Sequence, residues 1–178
     1  FVPIITAIVM VFVGWALGYI WPFVQSWIDA AGNWAIDNGN YGVGLYGFLN
    51  RLLIPLGLHH VINTIVWFDF GTFTAADGSM VKGEINRFLK GDPTDGPFLS
   101  GFFPIMMFGL PAACLAMYVA AKKEKKKLVG GMFVSIALTA FLTGVTEPIE
   151  FTFMFLSPVL YGIHALLTGM SLVVANAL

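Results

Sequence analysis

Two carboxylates three positions apart, Glu147 and Glu150, flank Pro148-Ile149 in the stretch Gly144–Phe151, Gly-Val-Thr-Glu-Pro-Ile-Glu-Phe. Residues 128–146 before them carry no charge, and residues 151–178 carry none except the possible charge of His164. A carboxylate at membrane depth costs roughly 2.5–3.5 kcal/mol on insertion scales, so it is paired or lines a polar cavity. Pro148 disfavours helical backbone at Glu147 and supplies no N–H of its own. This predicts a broken segment that presents Glu147 to a substrate. The alternative is a turn between helices at the bilayer surface, with both glutamates solvated. A second polar set lies upstream, where Arg51 and the pair His59-His60 occur in an apolar segment interrupted by Gly42, Gly44, Gly47, Pro55 and Gly57. Arg51 and His59 are eight positions apart, so an uninterrupted helix would place both on roughly one face. Pro55 and Gly57 stand between them. Arg51 is permanently charged and offers planar donors to hydroxyls, carboxylates or phosphate, or it snorkels to the interface near a helix end.

Arg51, His59, Thr146 and Glu147 supply donors and acceptors, with no nucleophile and base and no glycine-rich phosphate cradle. Neighbouring histidines are poor chelate spacing on a helix and no Cys/His cluster accompanies them, so no metal and no cofactor is expected. Hydrogen-bonded structural histidines are the other reading of the pair. Cys114 is alone in an apolar segment, which leaves no disulfide, zinc site or Cys-based redox motif within the chain. The remaining inventory suits a neutral polyhydroxyl ligand. A carboxylate accepts from two sugar hydroxyls at once while imidazole and guanidinium donate to others, and such charge-assisted bonds are the stronger ones. Trp67 and Phe68 offer faces for a sugar ring, or belong to packing and the interfacial belt.

The elements that hold these groups are membrane elements. Hydrophobic residues make up 58% of the 178 and charged residues only 11%, with a mean hydropathy of +0.83. That is an integral membrane composition rather than a soluble domain's, and the fold expected is all-α. A net charge of −1 says nothing about nucleic acid, and with five of the nine Lys and Arg in the run Lys122–Lys127 there is no basic face, so no nucleic-acid partner is expected. Phe1–Trp21 is uncharged and long enough to span, since a spanning helix needs about 20 residues. Past Pro22, the residues Val24, Trp27, Ile28, Ala31, Trp34 and Ala35 recur at helical spacing opposite Gln25, Ser26, Asp29, Asn33 and Asp37. This predicts an amphipathic helix along the membrane surface, acting as a linker, that ends at Asn38-Gly39-Asn40. Residues 74–96 collect most of the remaining charged residues and read as a polar loop or small hairpin. Residues 96–121 are charge-free and able to span. The lysine run that follows reads as a short cytoplasmic loop under the positive-inside rule. Short segments interrupted by Gly and Pro mark a transporter's midplane site, and Tyr41–His60 and Leu128–Pro158 are two of them. The chain opens on Phe1 inside one apolar run and closes on Leu178 inside another, so it reads as a fragment with membrane segments expected beyond both ends.

Arg51–His60, Arg-Leu-Leu-Ile-Pro-Leu-Gly-Leu-His-His, then Asn63-Thr64, together with Gly144–Phe151, closely resemble the membrane (IIC) component of the bacterial phosphoenolpyruvate-dependent sugar phosphotransferase system, glucose superfamily. Gly83–Phe88 and Ser100–Pro111 look like its N-acetylglucosamine-specific branch. The resemblance implies a homodimeric, multi-pass permease of the bacterial inner membrane, with re-entrant helical hairpins. An interfacial helix would join a dimerising half to a sugar-binding half. Residues 1–22 would be the last helix of the dimerising half, 23–40 the interfacial linker, and 41–178 the sugar-binding domain, incomplete at its C-terminus. By position in the motif, Glu147 would hold sugar hydroxyls, with Thr146, His59 and Arg51 completing the site and His60 a weaker candidate. The implied activity is uptake of N-acetylglucosamine with phosphorylation of its 6-hydroxyl by a phosphocysteine on a cytoplasmic IIB domain. That cysteine is not in this chain, and Cys114 has the wrong context to replace it. A IIC permease for glucose or maltose, and a sugar carrier not coupled to phosphorylation, are the alternatives.

Overall fold

The structure, a computed structural model, describes the backbone of residues 1–178 and every side chain except those of residues 28, 29, 31, 32 and 35–37. Helix α1 (Val2–Asp37) runs for 36 residues with Pro22 inside it. Its apolar side chains are exposed along its length, with Ile4, Phe12, Trp15 and Phe23 among them. The amphipathic face expected past Pro22 rests partly on Ile28, Asp29, Ala31, Ala35 and Asp37, whose side chains lie outside the described residues.

Two helices follow that are too short to cross a bilayer. Helix α2 (Asn40–Leu52) has 13 residues and α3 (His59–Phe68) has 10, or about 20 and 15 Å at 1.5 Å per residue against a hydrocarbon core of about 30 Å. Between them lie the 3₁₀ turn Ile54–Leu56, with Pro55 inside it, and Gly57 in the left-handed region at φ 70°. The chain therefore turns back on itself. Tyr46 of α2 donates its hydroxyl to Asn63 Oδ1 of α3 at 2.9 Å, so this is a re-entrant helical hairpin.

An antiparallel β-hairpin pairs β1 (Thr72–Thr74) with β2 (Met80–Lys82) in the register Thr72↔Lys82 and Thr74↔Met80. The polar stretch thus takes the hairpin form. Its turn contains Asp77-Gly78, and Asp77 accepts from the Ser79 N–H at 2.9 Å. Helix α4 (Glu84–Leu89) follows. Glu84 is buried and accepts the Phe98 N–H at 2.9 Å. Burial pushes its carboxyl up to about 7, against the opposing pull of that N–H.

The remaining helices form the membrane body. One turn, α5 (Phe102–Pro104), leads through the π-helical stretch Ile105–Gly109 into α6 (Leu110–Ala120), giving a 19-residue apolar rod, Phe102–Ala120. Two residues later α7 (Lys123–Thr143) begins. The lysine run expected as a loop is instead the start of this helix, where only the amines need reach water and Lys126 Nζ lies 5.3 Å from the centre of the Tyr118 ring. Helix α8 (Glu147–Met154), a second short segment of 8 residues, and α9 (Pro158–Ala177) complete the chain. Among the described residues four helices are long and apolar enough to span: Val2–Trp27, Phe102–Ala120, Lys123–Thr143 and Pro158–Ala177. The fold is all-α apart from the small hairpin.

Helices α2 and α9 pack backbone to backbone through glycines. A Cβ on Gly169 would lie 2.6 Å from the carbonyl oxygen of Gly44 in α2, and α9 is met as closely by the turn before α5, where a Cβ on Gly101 would lie 2.2 Å from the Cα of Leu172. Small residues allow such approach where lipid-like surroundings give helices no hydrophobic reason to associate. Val43, Tyr46, Val66, Phe70, Phe98, Phe102 and Leu172 close into one apolar cluster beside this contact. A second cluster, Leu110, Cys114, Ala140 and Ile149, joins α6, α7 and α8.

Candidate functional site

Arg51 sits in the last turn of α2, just before the 3₁₀ turn, so the hairpin carries it to its own tip. His59 and His60 open α3 on the other side of that tip. Opposite, α7 ends at Gly144 in the left-handed region, φ 75°, and α8 starts three residues later at Glu147, with Pro148 in its first turn. The backbone differs here from expectation. Glu147 is the first residue of α8 rather than extended, because proline inside the first turn lacks only an N–H that no helical carbonyl needs.

Two circuits of polar side chains meet between these breaks. In one, Arg51 Nη1 donates to Thr146 Oγ1 at 2.9 Å and to Glu150 Oε1 at 2.8 Å. The guanidinium also faces the Phe102 ring at 5.0 Å, and the Arg51 carbonyl accepts the Tyr161 hydroxyl. His164 Nε2 lies 3.0 Å from the same Glu150 oxygen. The side chains of Arg51 and Glu150 are 6% and 0% exposed. In the other circuit, His59 Nε2 lies 3.3 Å from Glu147 Oε1, with the imidazole 6% and the carboxylate 29% exposed. The His60 ring lies against that of His59, centres 3.9 Å apart and tilted by 37°, and His60 is itself exposed.

All five residues named from sequence come together, but they do not share one network. Glu147 pairs with His59, because Arg51 is taken by Glu150. Sequence reasoning missed Glu150 as that partner. The signal was there: Thr146 and Glu150 are four apart and face one side of a helix, while Glu147 starts the neighbouring row. It missed His164 too, for which the only cue is a titratable group in an otherwise uncharged helix. Trp67 is not at this site; it packs on the Tyr46–Phe70–Phe98 cluster.

Chemically, the buried circuit is closed to solvent, and Arg51 Nε and Glu150 Oε2 are buried in it without a hydrogen-bond partner. Arg51 already spends donors on Glu150 and Thr146, and Glu150 already accepts from two groups. The exposed circuit is the open one. Glu147 keeps acceptor capacity beyond its single contact with His59, at the mouth of a break, with Arg51, Thr146 and Glu150 fixing the backbone behind it.

A helical membrane fold with two re-entrant breaks meeting at buried and half-buried charges is the architecture of a transport domain. The chain belongs to the phosphotransferase system EIIC family, whose model matches residues 1–169; it is a multi-pass protein of the bacterial inner membrane. Among curated proteins it is 60% identical over 178 residues to the N-acetylglucosamine-specific EIICBA component of Escherichia coli (strain K12), covering 100% of this chain and 28% of the relative. It is 55% identical over 175 residues to the N-acetylglucosamine-specific EIICB component of Bacillus subtilis (strain 168), covering 98% of this chain and 38% of that protein. A glucose-specific EIICBA component of Staphylococcus saprophyticus matches at 45% identity, with 98% and 26% covered. The chain thus spans roughly a quarter to two-fifths of the length of these relatives.

Proposed function

We propose that this chain is the sugar-holding part of a permease that takes N-acetylglucosamine across the bacterial inner membrane. The sugar is phosphorylated on its 6-hydroxyl by a cytoplasmic IIB domain. The observation that carries the reading is the pairing of a half-exposed Glu147 with a buried His59 at the meeting point of two helix breaks. Glu147 accepts hydroxyl protons, His59 orients the carboxylate, and Arg51 with Thr146 and Glu150 forms the rigid frame behind them. His60 stands at the rim. The chain has no phosphoryl-donor residue, so it acts as the acceptor-holding half of the transfer and supplies position rather than the phosphate. Names that join EIIC to further components among the relatives support a IIB partner. Residues 1–22 are assigned to a dimerising half, 23–40 to a linker at the interface and 41–178 to sugar binding, with a homodimer in lipid as the working unit.

A glucose permease is the second reading, favoured only by the 45% identical glucose-specific relative. Titration calorimetry of the full-length protein with N-acetylglucosamine, glucose and maltose decides between them, and N-acetylglucosamine is expected to bind most tightly. Glu147→Gln should abolish that binding while leaving the unfolding temperature unchanged; unaltered affinity in this variant removes Glu147 from the site. Unmodified sugar accumulating in vesicles that lack the other phosphotransferase proteins would instead favour an uncoupled carrier.

A further inference from the structure

The open circuit at the mouth of the break is also a set of metal ligands. His59, His60 and Glu147 each place one ligand atom so that all three lie within 4.8 Å of one another. Two imidazoles and a carboxylate, with further positions left to water, form a donor set suited to Zn²⁺ and similar borderline ions. Adjacent ligands of a tetrahedral zinc ion stand about 3.3 Å apart, given bonds of about 2.0–2.1 Å. His59 Nε2 and Glu147 Oε1 are already 3.3 Å apart. The remaining movement falls on the side chains able to make it, since His60 is exposed and Glu147 is 29% exposed while His59 is held in the interior.

His59 Nε2, the nitrogen beside Glu147, is the one placed to ligate; Nδ1 is buried with no hydrogen-bond partner, so the ring is anchored by packing and by Glu147 alone. The sequence argued against a metal because adjacent histidines chelate badly; the third ligand arrives from 88 positions away. The positive ends of α3 and α8 both oppose a cation here, and a directly ligating carboxylate outweighs them.

We infer that His59, His60 and Glu147 bind a divalent transition ion such as Zn²⁺, and that the bound ion excludes sugar from the same carboxylate and imidazole. The zinc site stands on the geometry of these three residues. The competition rests on the proposed sugar site, and by linkage each ligand weakens the other by the same factor.

The test uses Zn²⁺ itself with the full-length protein in detergent, followed by equilibrium dialysis and by sugar calorimetry with and without the ion. Wild type is compared with His60→Gln, His60→Cys and Glu147→Gln, so that zinc held elsewhere in the molecule cancels. One additional Zn²⁺ per chain is expected in wild type and in His60→Cys, with affinity falling about tenfold or more in the Gln variants. Equal zinc binding by wild type and both Gln variants, with all proteins folded, overturns the site. Zinc should also raise the apparent Kd for sugar in proportion to its concentration. One additional bound ion that leaves sugar affinity unchanged upholds the metal site and overturns the sugar assignment of Glu147.

Discussion

Arg51 and Glu150 form the most deeply buried ion pair in this site, at 2.8 Å with 6% and 0% of the side chains exposed. Burying two charges costs several kcal/mol each, and apolar residues of similar volume in their place are often neutral or stabilising. The pair therefore fixes geometry more than it adds stability. Removing one partner is another matter, because it strands the other charge. Arg51→Met should lower stability by about 3–5 kcal/mol, read as a drop in the thermal unfolding midpoint in detergent. Arg51→Met combined with Glu150→Leu should recover most of that loss. A single variant as stable as wild type would contradict the buried pairing. Glu147 behaves differently at this scale: its contact with His59 is longer, 3.3 Å, and its carboxylate reaches the surface, so its loss is expected to cost binding and little stability.

Among the elements, the glycine contact between α2 and α9 decides how firmly the hairpin tip is held, because α9 also carries Tyr161 and His164 to Arg51 and Glu150. Gly169→Ala forces its new Cβ to within 2.6 Å of a backbone oxygen that cannot swing away, whereas a Cβ on Gly162 of the same helix meets nothing within 4 Å. Gly169→Ala should destabilise by about 1–3 kcal/mol and Gly162→Ala should not, by the same melting measurement; equal midpoints would show that the helices do not touch there. The breaks were legible from Pro55, Gly57, Gly144 and Pro148, and so were the residues around them. The partners were less so. Glu147 and Glu150 look alike in an apolar neighbourhood, and which one meets Arg51 depends on how α8 is rotated about its axis against a helix nearly a hundred residues away. The lysine run misled because charge density predicts solvation, and a helical first turn at a membrane surface is as solvated as a loop.

For the whole molecule, the apolar rod Phe102–Ala120 has the length and composition to cross the bilayer, so it separates the β-hairpin from the lysine run. With Lys122–Lys127 on the cytoplasmic side, a membrane-impermeant maleimide added to intact spheroplasts should label Met80→Cys at once and Lys125→Cys only after permeabilisation. Labelling of both from one side would mean that the rod does not span. The buried pair adds a timing constraint. Arg51 and Glu150 stand 99 positions apart in the chain, and polypeptides emerge at about 5–20 residues per second. For roughly 5–20 seconds of every synthesis, the first hairpin has left the ribosome before its counter-charge emerges. During that interval the guanidinium must wait in water, at the headgroups or within the insertion machinery, so the hairpin tip reaches its final depth only when the second half of the chain arrives to receive it.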